Sequence, residues 1–168
     1  YTNCEETELF LNGRSLGVKK VERFGHADWI VKYEKGTVEA VGRNGGKEIV
    51  HDIVRTSGHA AALKLKQDNT LYSANGQDLL LFTCYCVDKN GITVPDAEPF
   101  VKFDINRFGK IVGTGSDITD HVPPMLQDRK MRAGLCSVAV KAGSENGCLK
   151  LYASAENLKN AVISVELE

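Results

Sequence analysis

The chain has 168 residues, 42% of them hydrophobic and 26% charged, with 21 basic against 22 acidic side chains for a net charge of −1. These proportions are those of an ordinary globular protein, which excludes disorder, and the charge balance removes the basic footprint of a nucleic-acid binder. No run approaches the roughly 18 to 20 apolar residues of a membrane helix, and YTNCEETELF lacks a signal-peptide core, so the chain is expected either not to be exported or to be a fragment whose targeting segment lies elsewhere.

From the N-terminus, TELFLNGRSLG reads as two extended pieces around Asn12-Gly13, a dipeptide suited to the tight turn of an antiparallel hairpin. Asp28 to Tyr33 (DWIVKY) and Thr37 to Gly42 (TVEAVG) read as strands separated by Glu34-Lys35-Gly36, and Asn44-Gly45-Gly46 turns the chain into Glu48 to Arg55. No helical stripe interrupts them. Short strands with frequent turns predict an all-β protein of immunoglobulin-like antiparallel β-sandwich units. Thr56-Ser57-Gly58-His59, small and polar, marks a boundary between residues 1–58 and 59–168. A sandwich of this kind takes about 100 residues, so the first unit is expected to be incomplete at its N-terminus, with strands upstream of Tyr1.

The second unit opens with Ala62 to Lys66 and reaches the most strand-like stretch of the chain, Asp78 to Asp88 (DLLLFTCYCVD), between Asn75-Gly76 and Lys89-Asn90-Gly91. Alternation sets Leu80, Phe82, Cys84 and Cys86 on one face and Leu79, Leu81, Thr83, Tyr85 and Val87 on the other. The Phe82 face is the predicted core, because the hydroxyls of Thr83 and Tyr85 tolerate partial exposure. Phe100 to Ile105 and Lys110 to Gly113 follow. An irregular loop is predicted from Ser116 to Gly134, long enough to suggest a function, with Pro123-Pro124 and the mixed charges Asp128, Arg129, Lys130 and Arg132. Leu135 to Lys141, Cys148 to Ala153 and Ala161 to Leu167 close a sandwich of about 110 residues, a complete unit by size. The five cysteines, Cys4, Cys84, Cys86, Cys136 and Cys148, show no CxxC spacing. A hairpin centred near Ser144-Glu145 would pair Cys136 with Ala153 and not with Cys148, so free thiols are expected, with Cys84 and Cys86 as small buried hydrophobes.

Chemistry is sparse. A glycosidase needs two carboxyl groups at ~5 to 9.5 Å, one tuned to hold a proton, and no acidic residue stands in a recognisable catalytic setting. Glu5 and Glu6 read as exposed. Asp88-Lys89-Asn90-Gly91 has its glycine too early for a calcium loop and reads as a turn. Asp117, Asp120 and His121 are the weak metal candidates, against the plainer reading that their side chains order the long loop. His26, His51, His59 and His121 form no HxxxH pair. Trp29 and Tyr33, four apart on a predicted strand, would share a face and could stack on a sugar, although a lone tryptophan in a small sandwich is more often its core anchor. No cofactor, metal or catalytic residue is expected.

These residues carry a resemblance. NCEETELFLNGRSLG, followed by W-I-V-x-Y-E-x-G-T-V-E-A-V-G and G-G-K-E-I-V-x-D-x-V-R-T, resembles the domain after the catalytic barrel in bacterial glycoside hydrolase family 2 enzymes of β-galactosidase type. The second unit, through A-N-G-Q-D-L, V-D-K-N-G-I-T-V-P-D-A, G-T-G-S-D and the arginine-containing loop, is similar to the next C-terminal domain of those enzymes, and also resembles invasin-type immunoglobulin-like spacers. The resemblance implies a parent that hydrolyses β-galactosides or related β-glycosides with retention, using two glutamates on a TIM barrel. It implies a periplasmic or secreted setting. In the family the acid/base glutamate follows an asparagine. This chain has no Asn-Glu dipeptide, so no catalytic residue carries over. Cys84, Cys86 and Cys136 stand where the family is usually aliphatic. The expectation is an accessory structural region whose partner is the parent's own barrel or a neighbouring subunit, with glycan binding or an adhesive spacer as alternatives.

Overall fold

The computed structural model describes residues 1–168, all β-strand, turn and irregular chain, in two compact units, Tyr1–Thr56 and Ser57–Glu168. The first unit holds strands β1 (Glu6–Leu11), β2 (Arg14–Lys20), β3 (Thr37–Asn44) and β4 (Lys47–Arg55) in one antiparallel sheet of order β2-β1-β3-β4. Both hairpins use two-residue turns with positive φ at each position, Asn12 (51°) and Gly13 (78°), then Gly45 (55°) and Gly46 (77°). That backbone matches the twist of the strands it joins, which is why Asn-Gly and Gly-Gly stand there.

Asp28 to Tyr33 is not a strand. β1 pairs directly with β3, Leu11 opposite Val38, and leaves this segment without a ladder partner. The apolar run misleads because its side chains are not sequestered: Ile30 is fully exposed and Tyr33 is 76% exposed. One face of the sheet carries Thr7 and Leu11, both buried, and Gly42, against which Cys4 packs closely enough that a Cβ there would lie 2.7 Å from its sulfur. Their cross-strand partners Val38, Val50 and Val54 on the same face are open. Cys4, Leu11 and Val41 are the buried apolar side chains of this unit.

The second unit is a two-layer sandwich. One sheet has the order β5-β6-β10-β8, from β5 (Ala62–Gln67), β6 (Leu79–Val87), β8 (Gly109–Gly115) and β10 (Leu135–Ala142). The other has the order β12-β11-β7-β9, from β7 (Phe100–Ile105), β9 (Asp128–Lys130), β11 (Gly147–Ser154) and β12 (Ala161–Leu167). The core is built by alternation. Leu80, Phe82, Cys84 and Cys86 of β6 are fully buried, as are Val138 and Val140 of β10, and they face Val101, Phe103, Leu149 and Leu151 across the layers. Leu79 and Leu81 stay half open on the outer face. Burying a side chain such as Phe82 contributes roughly 1.5–3 kcal/mol. At Gly109 a Cβ would come within 2.7 Å of Leu149 Cδ1 and 2.9 Å of Val140 Cγ1, so side chains of both layers crowd this position.

Two expectations change here. β10 and β11 do not form a hairpin, because the chain crosses from one sheet to the other between them. Cys136 therefore lies opposite Cys84 of β6, and not opposite Ala153. All five cysteines are free. The Cys84 thiol is pushed far up by its hydrogen bond with Cys136 and then by burial. Second, the long loop is not wholly irregular, since β9 pairs with β7 through Val101 and Arg129.

At the end of β6 the buried Asp88 accepts backbone N–H groups from Gly58 at 2.7 Å, Asn90 at 2.8 Å and Ile92 at 3.0 Å. Those donors hold its carboxyl below the usual range, Gly58 first. A carboxyl whose folded pKa is depressed stabilises the fold above its unfolded value of about 3.9 and loses that contribution as pH falls through the folded value. Asp88→Asn should therefore lower the urea midpoint of the second unit at pH 7 and flatten its decline below pH about 4. Parallel acid profiles for both proteins would remove Asp88 from the account. With its small core, the first unit should also exchange amide hydrogens faster than β6. Equal protection of residues 1–55 and 78–88 would contradict this.

Candidate functional site

The best-built polar constellation lies along the open edge of the sandwich, where β8 of one sheet and β9 of the other are joined by the loop from residue 116 to 127. β9 is too short to bury apolar side chains, and its central residue is Arg129, 1% exposed. A buried guanidinium must have its N–H groups met, or it costs several kcal/mol. Here Nη1 donates to Asp120 Oδ1 at 3.1 Å and Oδ2 at 2.9 Å and to the Val122 carbonyl at 3.0 Å. Nη2 donates to the carbonyls of Thr114 and Pro123, both at 2.9 Å, and Nε donates to Thr114 Oγ1 at 3.2 Å. The Thr114 hydroxyl in turn donates to the Leu126 carbonyl at 2.6 Å.

Asp120 is pulled in opposite directions. Burial pushes its carboxyl up, while the Val122 N–H, Ser116 and the Arg129 charge draw it down, and it settles below the usual range. Asp117 is held down by the side chain and backbone N–H of Thr119. The metal candidates are thus separately engaged, Asp120 by Arg129 and Asp117 by Thr119, and no three potential ligands converge as a metal ion needs. The loop is ordered by its side-chain hydrogen bonds.

Above Arg129 the loop leaves a cavity of about 220 Å³, bounded by Phe100, His121, Leu126, Asp128, Lys130 and Arg132. Phe100 and Lys130 are cross-strand partners on the outward face, and the Phe100 ring is 54% exposed. Lys130 and Arg132 both bind Glu98, at 2.8 and 3.1 Å, and hold its carboxyl below the usual range, Lys130 first. Phe100 was legible in FVKFDI: with Lys102 and Asp104 outward, alternation puts Phe100 outward too. Arg129 was not, because nothing local separates it from Lys130 and Arg132.

Trp29 and Tyr33 belong to the first unit. With no strand between them, the shared face that would make them a platform is lost. Trp29 is partly buried, with Lys19 Nζ 5.2 Å from its ring centroid and its indole N–H enclosed without a partner. Tyr33 is open. The aromatic contact of this region is between Tyr1 and His26, at 5.4 Å.

Arg129→Ala leaves a buried carboxylate and several carbonyls unpaired and should destabilise the second unit by about 3–5 kcal/mol in urea unfolding. Arg129→Lys should recover little, since an ammonium cannot span the same acceptors. A loss under about 1 kcal/mol in the alanine variant would show that the loop does not depend on this side chain.

The family model for the glycoside hydrolase family 2 C-terminal domain 5 matches residues 63–164, and one for a domain of unknown function (DUF4982) matches residues 1–50. Beta-galactosidase BoGH2A of Bacteroides ovatus is 34% identical over 175 aligned residues, covering 100% of this chain and 20% of that protein. A putative beta-glucuronidase of Formosa agariphila is 30% identical, covering 99% of this chain and 20% of that protein. A crystal structure of a glycosyl hydrolase family 2 member from Bacteroides cellulosilyticus superposes with a TM-score of 0.90 at 31% identity, covering 99% of this chain and 22% of that one. The chain spans about a fifth of the length of the curated relatives it matches.

Proposed function

The chain belongs to the glycoside hydrolase family 2 C-terminal domain 5 family, and from that premise we propose that it is a non-catalytic accessory region of a larger retaining β-glycosidase. The observation that carries the reading is the match of the whole chain to about a fifth of glycosidase relatives. Electrostatics supports it. A retaining glycosidase needs one carboxyl group whose pKa is raised so that it can donate a proton. The displaced carboxyl groups here, Glu8, Asp88, Glu98, Asp117 and Asp120, all move down, held as carboxylates by turns and ion pairs.

The parent's substrate is read as a β-galactoside, on the strength of the 34% identity to a beta-galactosidase. A β-glucuronide is the second reading, favoured by the 30% identity to a putative beta-glucuronidase. The accessory region works by contact with the parent's own catalytic barrel or a neighbouring subunit. Open apolar side chains support this: Val50 and Val54 on the sheet of the first unit, and Ile118 and Met125 on the loop of the second, the latter two 98% and 82% exposed. Apolar side chains of this kind gain from being covered.

The test is hydrolysis of 4-nitrophenyl β-galactoside and β-glucuronide by the full-length parent and by the 168-residue chain alone. The parent is expected to cleave the galactoside faster and the isolated chain to cleave neither. Preference of the parent for the glucuronide would select the second substrate. Turnover by the isolated chain, abolished by none of the usual controls for contaminating enzyme, would overturn the non-catalytic reading.

A further inference from the structure

We propose that the cavity between Phe100 and the 116–127 loop is a secondary, non-catalytic subsite for one neutral pyranose ring. The inference deepens the glycosidase reading and takes from it only the choice of sugars to test. A cavity of about 220 Å³ accommodates one sugar ring and not an extended oligosaccharide. Its wall carries the Phe100 ring, 54% exposed on an outward strand face. A pyranose presents a face of C–H groups and a rim of hydroxyls. An open ring flanked by hydrogen-bonding groups complements both at once, the combination of apolar wall and few placed polar groups that small-ligand sites use.

The charges select the kind of sugar. Arg129 is committed to Asp120, and Lys130 and Arg132 share Glu98. Asp128, outward on the same short strand and bounding the same cavity, belongs to none of these ion pairs. Counted with Glu98, the three cations and three carboxylates at the cavity balance, with Lys102 opposite Asp128 on β7, so no excess positive charge is left to draw in an acidic sugar. The Asp128 carboxylate accepts two sugar hydroxyls well and no net cation offsets the charge of a uronate, so a neutral hexose fits better than an acidic one. His121 adds a ring nitrogen able to donate or accept. The loop holding His121 and Leu126 is fastened by the buried Arg129, so the cavity is formed before a ligand arrives and little ordering entropy opposes binding.

The experiment is a titration of the 168-residue chain, followed by amide ¹H–¹⁵N spectra, with methyl β-D-galactopyranoside and, separately, methyl β-D-glucuronide. Saturable shifts confined to residues around Phe100, His121 and Asp128 to Arg132 are expected with the galactoside, and weaker binding of the glucuronide. Phe100→Ala should weaken the galactoside about tenfold, the factor that about 1.4 kcal/mol of ring contact carries. Asp128→Asn should narrow the difference between the two sugars. Both side chains face outward, so the spectrum of each variant should otherwise match the parent's. No saturable shift, shifts centred on Trp29, or tighter binding of the glucuronide would each overturn the proposal. Because binding is read on this chain alone, its failure would leave the accessory reading standing, and failure of the parent to hydrolyse glycosides would leave the binding result standing.

Discussion

The guanidinium of Arg129 is the constraint on which the working edge of this protein depends. It is charged, cannot lose its proton and is buried. Removing it from solvent is tolerable only because a threonine carbonyl and hydroxyl from β8, a carboxylate and two carbonyls from the loop all converge on it. The side chain comes from β9 in one sheet and its first acceptors come from β8 in the other. The same contacts that neutralise the charge therefore tie the layers together and fold the loop back onto the edge. The cavity beside Phe100, its ordered wall and the separation of Asp117 from Asp120 are consequences of that one satisfied cation.

The two units solve the burial problem differently. In Ser57–Glu168 each strand turns alternate residues inward and a second sheet meets them, so the interior forms a continuous apolar cluster. In Tyr1–Thr56 one sheet carries the same alternation, yet Val38, Val50 and Val54 stand open beside the buried Leu11 and Thr7. Valine is a natural choice for a half-covered pleated surface, and a face of this composition gains stability from whatever covers it.

What could be read from the residues follows the range of the interaction. β6 and its inward face were legible because alternation over nine residues is a local signal, and the Asn12-Gly13 turn because its backbone demand falls on two residues. Asp28 to Tyr33 looked like a strand for the same local reasons, but a strand also needs an unfilled neighbour, and β1 had already taken β3. β10 and β11 were read as a hairpin because consecutive strands usually pair, and the crossing between sheets leaves no mark in Gly143 to Asn146. β9 and Arg129 were hidden for a different reason. Three residues carry no period, and the importance of the arginine resides in carbonyls up to fifteen positions away, with Thr114 the farthest.

The apposition of Cys84 and Cys136 on the two central strands has a consequence for chemistry in time. Each thiol lies in the driest part of the sandwich, and the proton on Cys84 is kept there by its neighbour and by burial. Both sulfurs are buried, and an electrophile cannot reach them while the layers are closed. Cys148, on the inner strand β11, is the most accessible of the five sulfurs, although its hydrogen bond with Glu166 pushes its thiol up. The inner pair answers only when the sandwich parts, so the chain carries its own clock: the delay before Cys84 and Cys136 are modified measures how often the second unit opens.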